Sequence, residues 1–337
     1  MDWSKGYEAR YYLSILDKET MRDMDKLELV SGSISRSLTD LRESASFDCV
    51  RYPFNNEEKY IRVWLDTVQD GSSGHTPLFT GIATSPKDKY SGNLRTNTVE
   101  MYSVLKIAED VLLSRGWYAP VDANGAKLVK TLLSIINVDI FIEETETQPI
   151  LSQSIIAEQN ENHRSMADKI LSAINWRLKL DGYGNIYLGP LNKNPKIIFS
   201  SNENDVLETS VDVSYDWYSA PNILRATIDD TSAIARDDDP KSPLSIINRG
   251  REVWFEDSDV NLNANETLAE YAQRMLKEYQ QVATNISYDR RYWPNVYPGD
   301  VVNLNYPAQN ISGDFLVSSQ SITLGPNAKT SEEVIKL

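Results

Sequence analysis

Apolar and polar residues alternate through the first hundred positions of the chain, which is the pattern of half-buried β-strands. The alternating segments are residues 7–16, 27–38, 45–50, 60–65, 78–83 and 96–101. Glycine and serine at residues 70–74 predict a loop between two of these strands. Short strands separated by turn residues predict a β-barrel or a β-sandwich in this part of the chain.

The apolar spacing changes from two residues to three or four after residue 102, which predicts helices. A first helix is predicted from Ser103 to just before Gly116. Its buried face would carry Val104, Ile107, Ala108, Val111 and Leu112. Further helices are predicted at residues 126–136 and 165–175, and an alternating hairpin follows at 176–188. With a long polar loop at residues 143–162, this segment is predicted to be a small α+β domain.

The β pattern returns after residue 204, in segments 206–213, 223–228 and 251–255. It is interrupted by an amphipathic helix at about residues 265–283, where Thr267 and Glu270 form a capping box. The aspartate-rich stretch at residues 235–243 predicts a solvated loop.

The order of strands and turns in residues 60–101 recurs weakly in residues 299–337, which favours a duplicated β fold. The predicted fold class is therefore α+β and mostly β, in three domains. Residues 1–102 and 204–337 would form β domains, and residues 103–203 would form an α+β domain between them.

The formal net charge of −15 argues against a protein that binds the phosphate backbone of nucleic acids or an anionic lipid surface. Cys49 is the single cysteine, so no intramolecular disulfide and no thiolate metal cluster can form. No basic segment followed by an apolar one occurs at the amino terminus, and no apolar stretch approaches 18 residues. We therefore expect a protein that folds in a cytoplasm and makes no contact with a membrane.

Catalytic motifs are scarce in this sequence. His75 and His163 do not have a metal-ligand spacing, and neither a nucleophile elbow nor a phosphate-binding glycine loop occurs. The acidic runs at residues 143–146 and 237–239 are typical of solvated loops and lack the spacing of an EF-hand. No catalytic, cofactor-binding or metal-binding residue is predicted, although a pair of glycosidase carboxylates stays open.

Two aromatic clusters, at residues 215–218 and 290–294, combine the residue types that anchor protein interfaces. The residues predicted to contact a partner are Trp217, Tyr218, Tyr292 and Trp293. Strand aromatics that pack on their own core are an equally open interpretation of each cluster. A carbohydrate-binding platform is a third interpretation.

Three segments carry a resemblance to a known family. These are the hairpin at residues 176–188, the Pro-Gly-Asp-Val-Val sequence at 298–302, and the Gly-Asp-Phe-Leu-Val sequence at 313–317. In this order the chain resembles the baseplate hub proteins of phage tails and phage-derived particles. That family includes the late control protein D family and its relatives in Gram-positive prophages. The resemblance covers nearly the whole chain in its order of elements.

The resemblance implies a non-catalytic structural protein with two β-barrel domains like the tail-tube protein. It implies a homotrimer whose pseudo-sixfold ring joins the hexameric tail tube to the trimeric central spike, as in contractile injection systems. Other baseplate proteins and the tape-measure protein would be further partners. Since the chain ends at Leu337, we expect no fused cell-wall hydrolase.

The location implied by this resemblance is the baseplate of a virion or particle, assembled in the bacterial cytoplasm. The net charge predicts that the channel of the ring is acidic or neutral, so DNA would pass without specific binding. Two alternatives remain open. One is a tail-associated hydrolase or carbohydrate-binding component, and the other is a different tail-tube or tail-completion subunit.

Overall fold

The computed structural model describes residues 2–38, 42–50, 52, 58–84, 86–92, 94–191, 195–200, 206–215, 217–218, 220–258, 260, 262, 266–281, 284–325 and 328–336. The described chain is mostly β with few helices, as the sequence predicts. No helix in these ranges is long and apolar enough to cross a membrane.

The first seven strands form an N-terminal β unit. They are β1 Glu8–Leu16, β2 Asp23–Ser37, β3 Glu43–Val50, β4 Lys59–Gln69, β5 Ser72–Ala83, β6 Lys87–Ser91 and β7 Leu94–Ser103. Backbone hydrogen bonds join neighbours in the order β1-β4-β5-β7-β3-β2, and β2 pairs again with β1. The circuit encloses an apolar core that includes Leu13, Ile34, Phe47 and Phe79.

The loop predicted at residues 70–74 is shorter than expected. Only Asp70 and Gly71 connect β4 to β5, and both have a positive φ, of 49° and 80°. An Asp-Gly pair adopts such angles readily and closes a tight hairpin, so the following serines join β5.

The central module lies between residues 104 and 190. Its elements are α1 Lys106–Asp110, β8 Tyr118–Ala119, α2 Gly125–Leu133, β9 Ile140–Ile142, β10 Ile155–Ile156, α3 His163–Ala173, β11 Trp176–Leu180 and β12 Ile186–Pro190. The helices α2 and α3 begin at the side-chain caps Asn124 and Asn162 and pack together over the predicted β11–β12 hairpin. The module thus has its own apolar core.

Helix α1 is much shorter than the predicted helix. The backbone turns extended at Val111, and Leu112 forms an isolated bridge with Asn162. Residues 111–125 pair irregularly with residues 149–163, most of the segment predicted to be a long loop. This pairing takes the backbone groups that would have extended the helix, and Val111 and Leu112 are left exposed.

The C-terminal β unit and an inserted unit make up the rest. The β unit contains β13 Pro195–Ser200, β14 Leu207–Tyr215, β18 Thr284–Arg290, β19 Val301–Tyr306, β20 Ile311–Leu324 and β21 Thr330–Lys336, with a short 3-10 turn at Pro307–Gln309. The inserted unit contains β15 Ile223–Ile228, β16 Thr231–Arg236, α4 Ile246–Arg249, β17 Trp254–Asp257 and α5 Leu268–Gln281.

Helix α5 covers one face of the three-stranded sheet of the inserted unit. Tyr271, Ala272 and Leu276 pack on this sheet, in the position that the apolar stripe predicts. The capping box at its start is present, since Thr267 and Glu270 exchange hydrogen bonds. The inserted unit thus has a separate core within the C-terminal part of the chain.

The two β units connect their strands in the same way. Hydrogen-bonded neighbours in the second unit follow the order β13-β19-β20-β21-β18-β14. If β6 and the inserted unit are left out, each unit has six strands. Numbered along the chain, the six strands follow the order 1-4-5-6-3-2 in both units. The units differ in that β13 pairs with β19 in parallel, and that β13 and β14 do not pair within the described residues.

One sheet runs through both units, because β2 pairs with β20 over residues 32–37 and 319–324. The result is a 13-stranded sheet. The hydrophobic clusters fall near the predicted domain limits, but the N-terminal cluster also takes in Tyr292, Ile322 and Leu324. The domain boundaries therefore stay a prediction.

The hairpin β11–β12 anchors the central module to both β units. Gly182 in its turn lies against β5, where the Thr80 hydroxyl donates to the Gly182 carbonyl at 2.8 Å. On the other side Arg177 donates to the buried Asp300 carboxylate at 2.6 Å. The hairpin, which is one of the three segments that carry the sequence resemblance, therefore contacts both β units.

Candidate functional surface: a polar face of the shared sheet

The solvent-facing positions of the shared sheet are occupied by short hydroxyl side chains. On β2, β3 and β20 the inward positions are apolar or buried, and the alternate positions point outward. The hydroxyl residues on this polar face are Ser33, Ser35, Ser37, Ser44, Ser46, Ser210, Ser214, Ser287, Ser319, Ser321, Thr323 and Ser331. Such side chains give a hydrated and smooth surface with little to hold a ligand.

The polar face is concave where the two β units meet. A hollow of about 410 Å³ lies over β2, β14, β18, β20 and β21. Its lining includes Ser35, Ser37, Asp212, Ser321 and Glu333. The face therefore belongs to both units and exists only because β2 pairs with β20.

Carboxylates dominate the charge on the polar face. The nearby lysines are each paired: Lys89 lies 3.3 Å from Asp48, and Lys329 lies 2.5 Å from Asp289. Asp212 has no ion-pair partner among the described residues. The face is thus neutral to acidic, and it would repel rather than bind a polyanion.

A chain of buried polar side chains lies beneath the polar face. Arg36 on β2 donates to Gln320 on β20 at 2.9 Å, and Gln320 donates to Glu332 on β21 at 2.6 Å. Arg290 on β18 forms a bidentate ion pair with Glu332, and the Tyr288 hydroxyl also donates a hydrogen bond to this carboxylate. The Arg36–Gln320 hydrogen bond crosses the junction between the two β units, and the other bonds extend this chain within the C-terminal unit.

The two buried carboxylates of this junction have opposite pKa shifts. Burial would raise the pKa of Glu332, but the charge of Arg290 and three donors hold it below its usual value. Burial raises the pKa of Glu43 to about 7, against the charge of Arg36. The Oε2 atom of Glu43 has no hydrogen-bond partner among the described residues, which explains why its ionised form is poorly stabilised.

The four aromatic residues predicted to contact a partner lie in two different environments. Trp217 and Tyr218 are 49% and 85% exposed, just before the inserted unit. Tyr292 is 5% exposed in the N-terminal core, and Trp293 packs edge-on against Phe199 in the C-terminal core. The contact role stays a prediction, and of the four residues only Trp217 and Tyr218 are largely exposed.

The other residues weighed for chemistry lie in separate places. His75 stacks on Trp64 and lies 2.5 Å from Asp66, whereas His163 contacts the Leu132 carbonyl. Burial raises the pKa of the Cys49 thiol to about 11. Within the described ranges no group of three or more histidine, cysteine or carboxylate side chains could hold a metal ion.

The polar face was not predicted from the sequence. Serine stands at every second position in residues 31–37 and again at 319 and 321. Because alternate residues of a strand lie on the same face, a strand with serine at every second position and a buried opposite face indicates a polar, solvent-facing surface. That two such strands pair is a long-range contact that one sequence does not reveal.

Comparisons with known proteins assign the fold. No family model and no curated protein sequence matches the chain. A tail protein from Neisseria meningitidis MC58 has a TM-score of 0.70 at 14% identity, over 97% of this chain and 96% of its own. A 43 kDa tail protein of prophage MuSo2 from Shewanella oneidensis has a TM-score of 0.69 at 12% identity, over 98% and 97%.

A third similar structure has a lower TM-score. It is a prophage tail protein from Listeria monocytogenes EGD-e, with a TM-score of 0.54 at 12% identity, over 97% of this chain and 94% of its own. The fold of the chain, over nearly its whole length, is that of phage and prophage tail proteins.

Proposed function

We propose that this chain is the structural hub subunit of a phage tail or of a phage-tail-like particle. Three copies would form a ring that joins the hexameric tail tube to the trimeric central spike. The observation that carries the proposal is the repeated strand order of the two β units within a chain that has a tail-protein fold. Three chains with two such units each present six similar units, which matches a sixfold partner on one side.

The two β units would each act as a tube-like barrel. The N-terminal unit supports this because its pairings return to β1. The second unit has the same strand order and shares a sheet with the first through β2 and β20. This arrangement gives the two units of one chain a fixed relation, which a ring with sixfold pseudosymmetry requires.

The polar face would line the channel of the ring. It is concave, and its nearby lysines are paired with carboxylates. A wall of short hydroxyls and carboxylates lets a DNA molecule pass without being held. In a particle without a genome the same channel would stay empty of nucleic acid.

The role is non-catalytic, and the partners are other tail components. Besides the tube and the spike, these would include further baseplate proteins and the tape-measure protein. Trp217 and Tyr218 are the exposed aromatic residues that we assign to protein contacts within the assembled particle. The protein would be located in the baseplate of the assembled particle.

Light scattering and electron microscopy test the hub proposal. We expect the purified chain to have three times its mass of 38.2 kDa, alone or once tube and spike proteins are added. Images of the tail tip would show a ring between tube and spike. A chain that stays monomeric and joins neither partner would contradict the proposal.

A zymogram on purified cell wall tests the non-catalytic role. We expect no cleared band at the position of this chain, with a known lysozyme as the positive control. A reproducible cleared band would favour a tail-associated hydrolase instead.

A further inference from the structure

The central module has a surface ribbon whose outward side chains are apolar. It consists of residues 111–125 paired with residues 149–163, and we refer to it as the apolar ribbon. The pairing continues from Leu112 opposite Asn162, through Tyr118 opposite Ile156, to Asn124 opposite Ile150. Its exposed apolar residues, all between 41% and 69% exposed, are Val111, Leu112, Tyr118, Val121, Ile150 and Ile156.

This much exposed apolar surface on one ribbon is unusual for a protein that works alone. Three carboxylates lie exposed at its edges: Asp110 lies 2.7 Å from Lys106 and Glu158 lies 2.5 Å from Lys169, whereas Asp122 has no ion-pair partner among the described residues. Arg115 is the single arginine or lysine of the two segments. The ribbon therefore offers an apolar strip with an uncompensated carboxylate, that of Asp122, at its edge. Such a surface fits a partner that combines apolar or aromatic rings with arginine.

A second surface of this molecule has that complementary chemistry. Trp217, Tyr218 and Ile247 are exposed, and the Arg251 guanidinium lies 5.8 Å above the Tyr218 ring. Arg249 donates to the carbonyls of Trp217 and Ala220, which holds the segment in place. We refer to Trp217, Tyr218, Ile247, Arg249 and Arg251 as the aromatic–arginine patch.

The two arginines of the patch have no carboxylate partner among the described residues. Partial burial and the charge of Arg251 lower the pKa of Arg249, as expected for two adjacent cations without an anion. The two arginines give this surface a local positive charge in a chain whose net charge is −15. The residue types are those that dominate interface energies.

The ribbon and the patch lie at opposite ends of the inserted unit. Ser152 on the ribbon donates to the Leu262 carbonyl, beyond the carboxyl end of β17. The patch segments precede the amino ends of β15 and β17, which run in parallel. Since β15 has 6 residues, the two surfaces are separated by roughly 20 Å of strand and cannot meet within one chain.

We infer that the apolar ribbon of one copy of this chain binds the aromatic–arginine patch of the next copy. This contact is heterologous, because it joins two different surfaces, and it closes into a ring when three copies repeat it. The inference rests on the proposed trimeric hub and names the surfaces that assemble it. The charges agree, since Asp122 at the edge of the ribbon would meet the two guanidiniums of the patch.

Cysteine cross-linking tests the contact directly. Cys49 is fully buried, so cysteines introduced at Tyr118→Cys and Tyr218→Cys are the accessible thiols. With a short bismaleimide the double variant should give covalent dimers and trimers on a denaturing gel. Each single variant serves as a control and should remain monomeric on the gel.

Charge reversal gives a second measurement on the native cysteine background. Arg251→Glu should weaken trimer formation by at least about tenfold in light-scattering dilution series, and Ile156→Glu should do the same from the other side. Arg10→Glu and Met24→Glu are matched controls, because both residues are exposed and lie on neither surface. These controls should dissociate like the wild type.

The outcomes separate this inference from the hub proposal. A wild type that forms trimers but shows no cross-link, and whose stability does not respond to Arg251→Glu or Ile156→Glu, would overturn the inference alone. A wild type that never assembles, even with tube and spike proteins, would overturn the hub proposal as well. Folding of each variant is checked by circular dichroism before either conclusion is drawn.

Discussion

Glu332 and Arg290 are fully buried, and each is the charge partner that makes burial of the other tolerable. Glu332→Gln leaves the Arg290 guanidinium with weakened compensation, so we expect the free energy of unfolding to fall by about 3–5 kcal/mol. Urea denaturation measures this loss. Glu333→Gln is the matched control, since that exposed neighbour lies on the polar face and should change stability by less than about 0.5 kcal/mol. Equal losses in both variants would contradict the assignment.

Glu43 predicts a pH dependence of stability. Its pKa is about 7 in the folded chain and 4.5 ordinarily, so the folded chain binds more protons between these values. The free energy of unfolding should therefore fall as pH rises through this window and level off above it. Glu332 has a lowered pKa, so its contribution is lost only below about pH 4.5 and does not interfere.

The measurement compares urea denaturation at about pH 5.5 and about pH 8. The wild type should lose about 2 kcal/mol more than Glu43→Gln, which has no proton to release at this position. A wild-type slope that Glu43→Gln leaves unchanged would show that another group carries the dependence.

At the residue scale, the burial of an aromatic side chain could not be predicted from the sequence around it. Trp217 and Tyr292 occur in similar aromatic clusters, yet one is exposed and the other is in the core. Local sequence contains no difference between them, because Tyr292 is buried by strands from the other end of the chain. Aromatic composition indicates large contact area, but only the long-range fold decides whether the contact is internal.

At the scale of elements, the hairpin β11–β12 depends on a residue without a side chain. A Cβ atom at Gly182 would lie 1.9 Å from the Pro77 carbonyl oxygen, so Gly182→Ala must push the hairpin away from β5. We expect a loss of about 2–3 kcal/mol in urea denaturation. Gly71→Ala is the control: its φ is 80° and nothing lies within 4 Å, so only about 1 kcal/mol of backbone strain should appear. Equal effects would mean that the hairpin does not dock as described.

Elements with strong local patterns were predictable, and those set by distant pairing were not. Thr267 and Glu270 located the start of α5, and the alternation at residues 176–188 located the hairpin. Helix α1 was predicted too long because Val111 and Leu112 continue its apolar spacing. These residues instead pair with a segment some fifty positions later, which no local pattern indicates.

At the scale of the whole molecule, the polar face should bind nucleic acid if positively charged side chains are introduced on it. Ser35→Arg with Ser287→Arg adds two positive charges per chain to it. We expect the trimer to retard duplex DNA in a gel at low salt, and the retardation to vanish as salt is raised. Ser73→Arg with Ser232→Arg, on exposed positions elsewhere, is the control and should retard DNA far less. Equal retardation by both pairs would contradict a channel role for the face.

The inserted unit has a consequence for how a ring of such chains would be recognised. It occupies the connection between β14 and β18, whereas only five residues separate β2 from β3 at the equivalent place along the chain. In the proposed ring, β units that carry the inserted unit would thus alternate with β units that do not. A partner that contacts only the sheet would meet a hexagon, and one that reaches the insertions would meet a triangle. Because only one of the two matched units carries this extra segment, the same ring would present sixfold pseudosymmetry to one partner and threefold symmetry to the other.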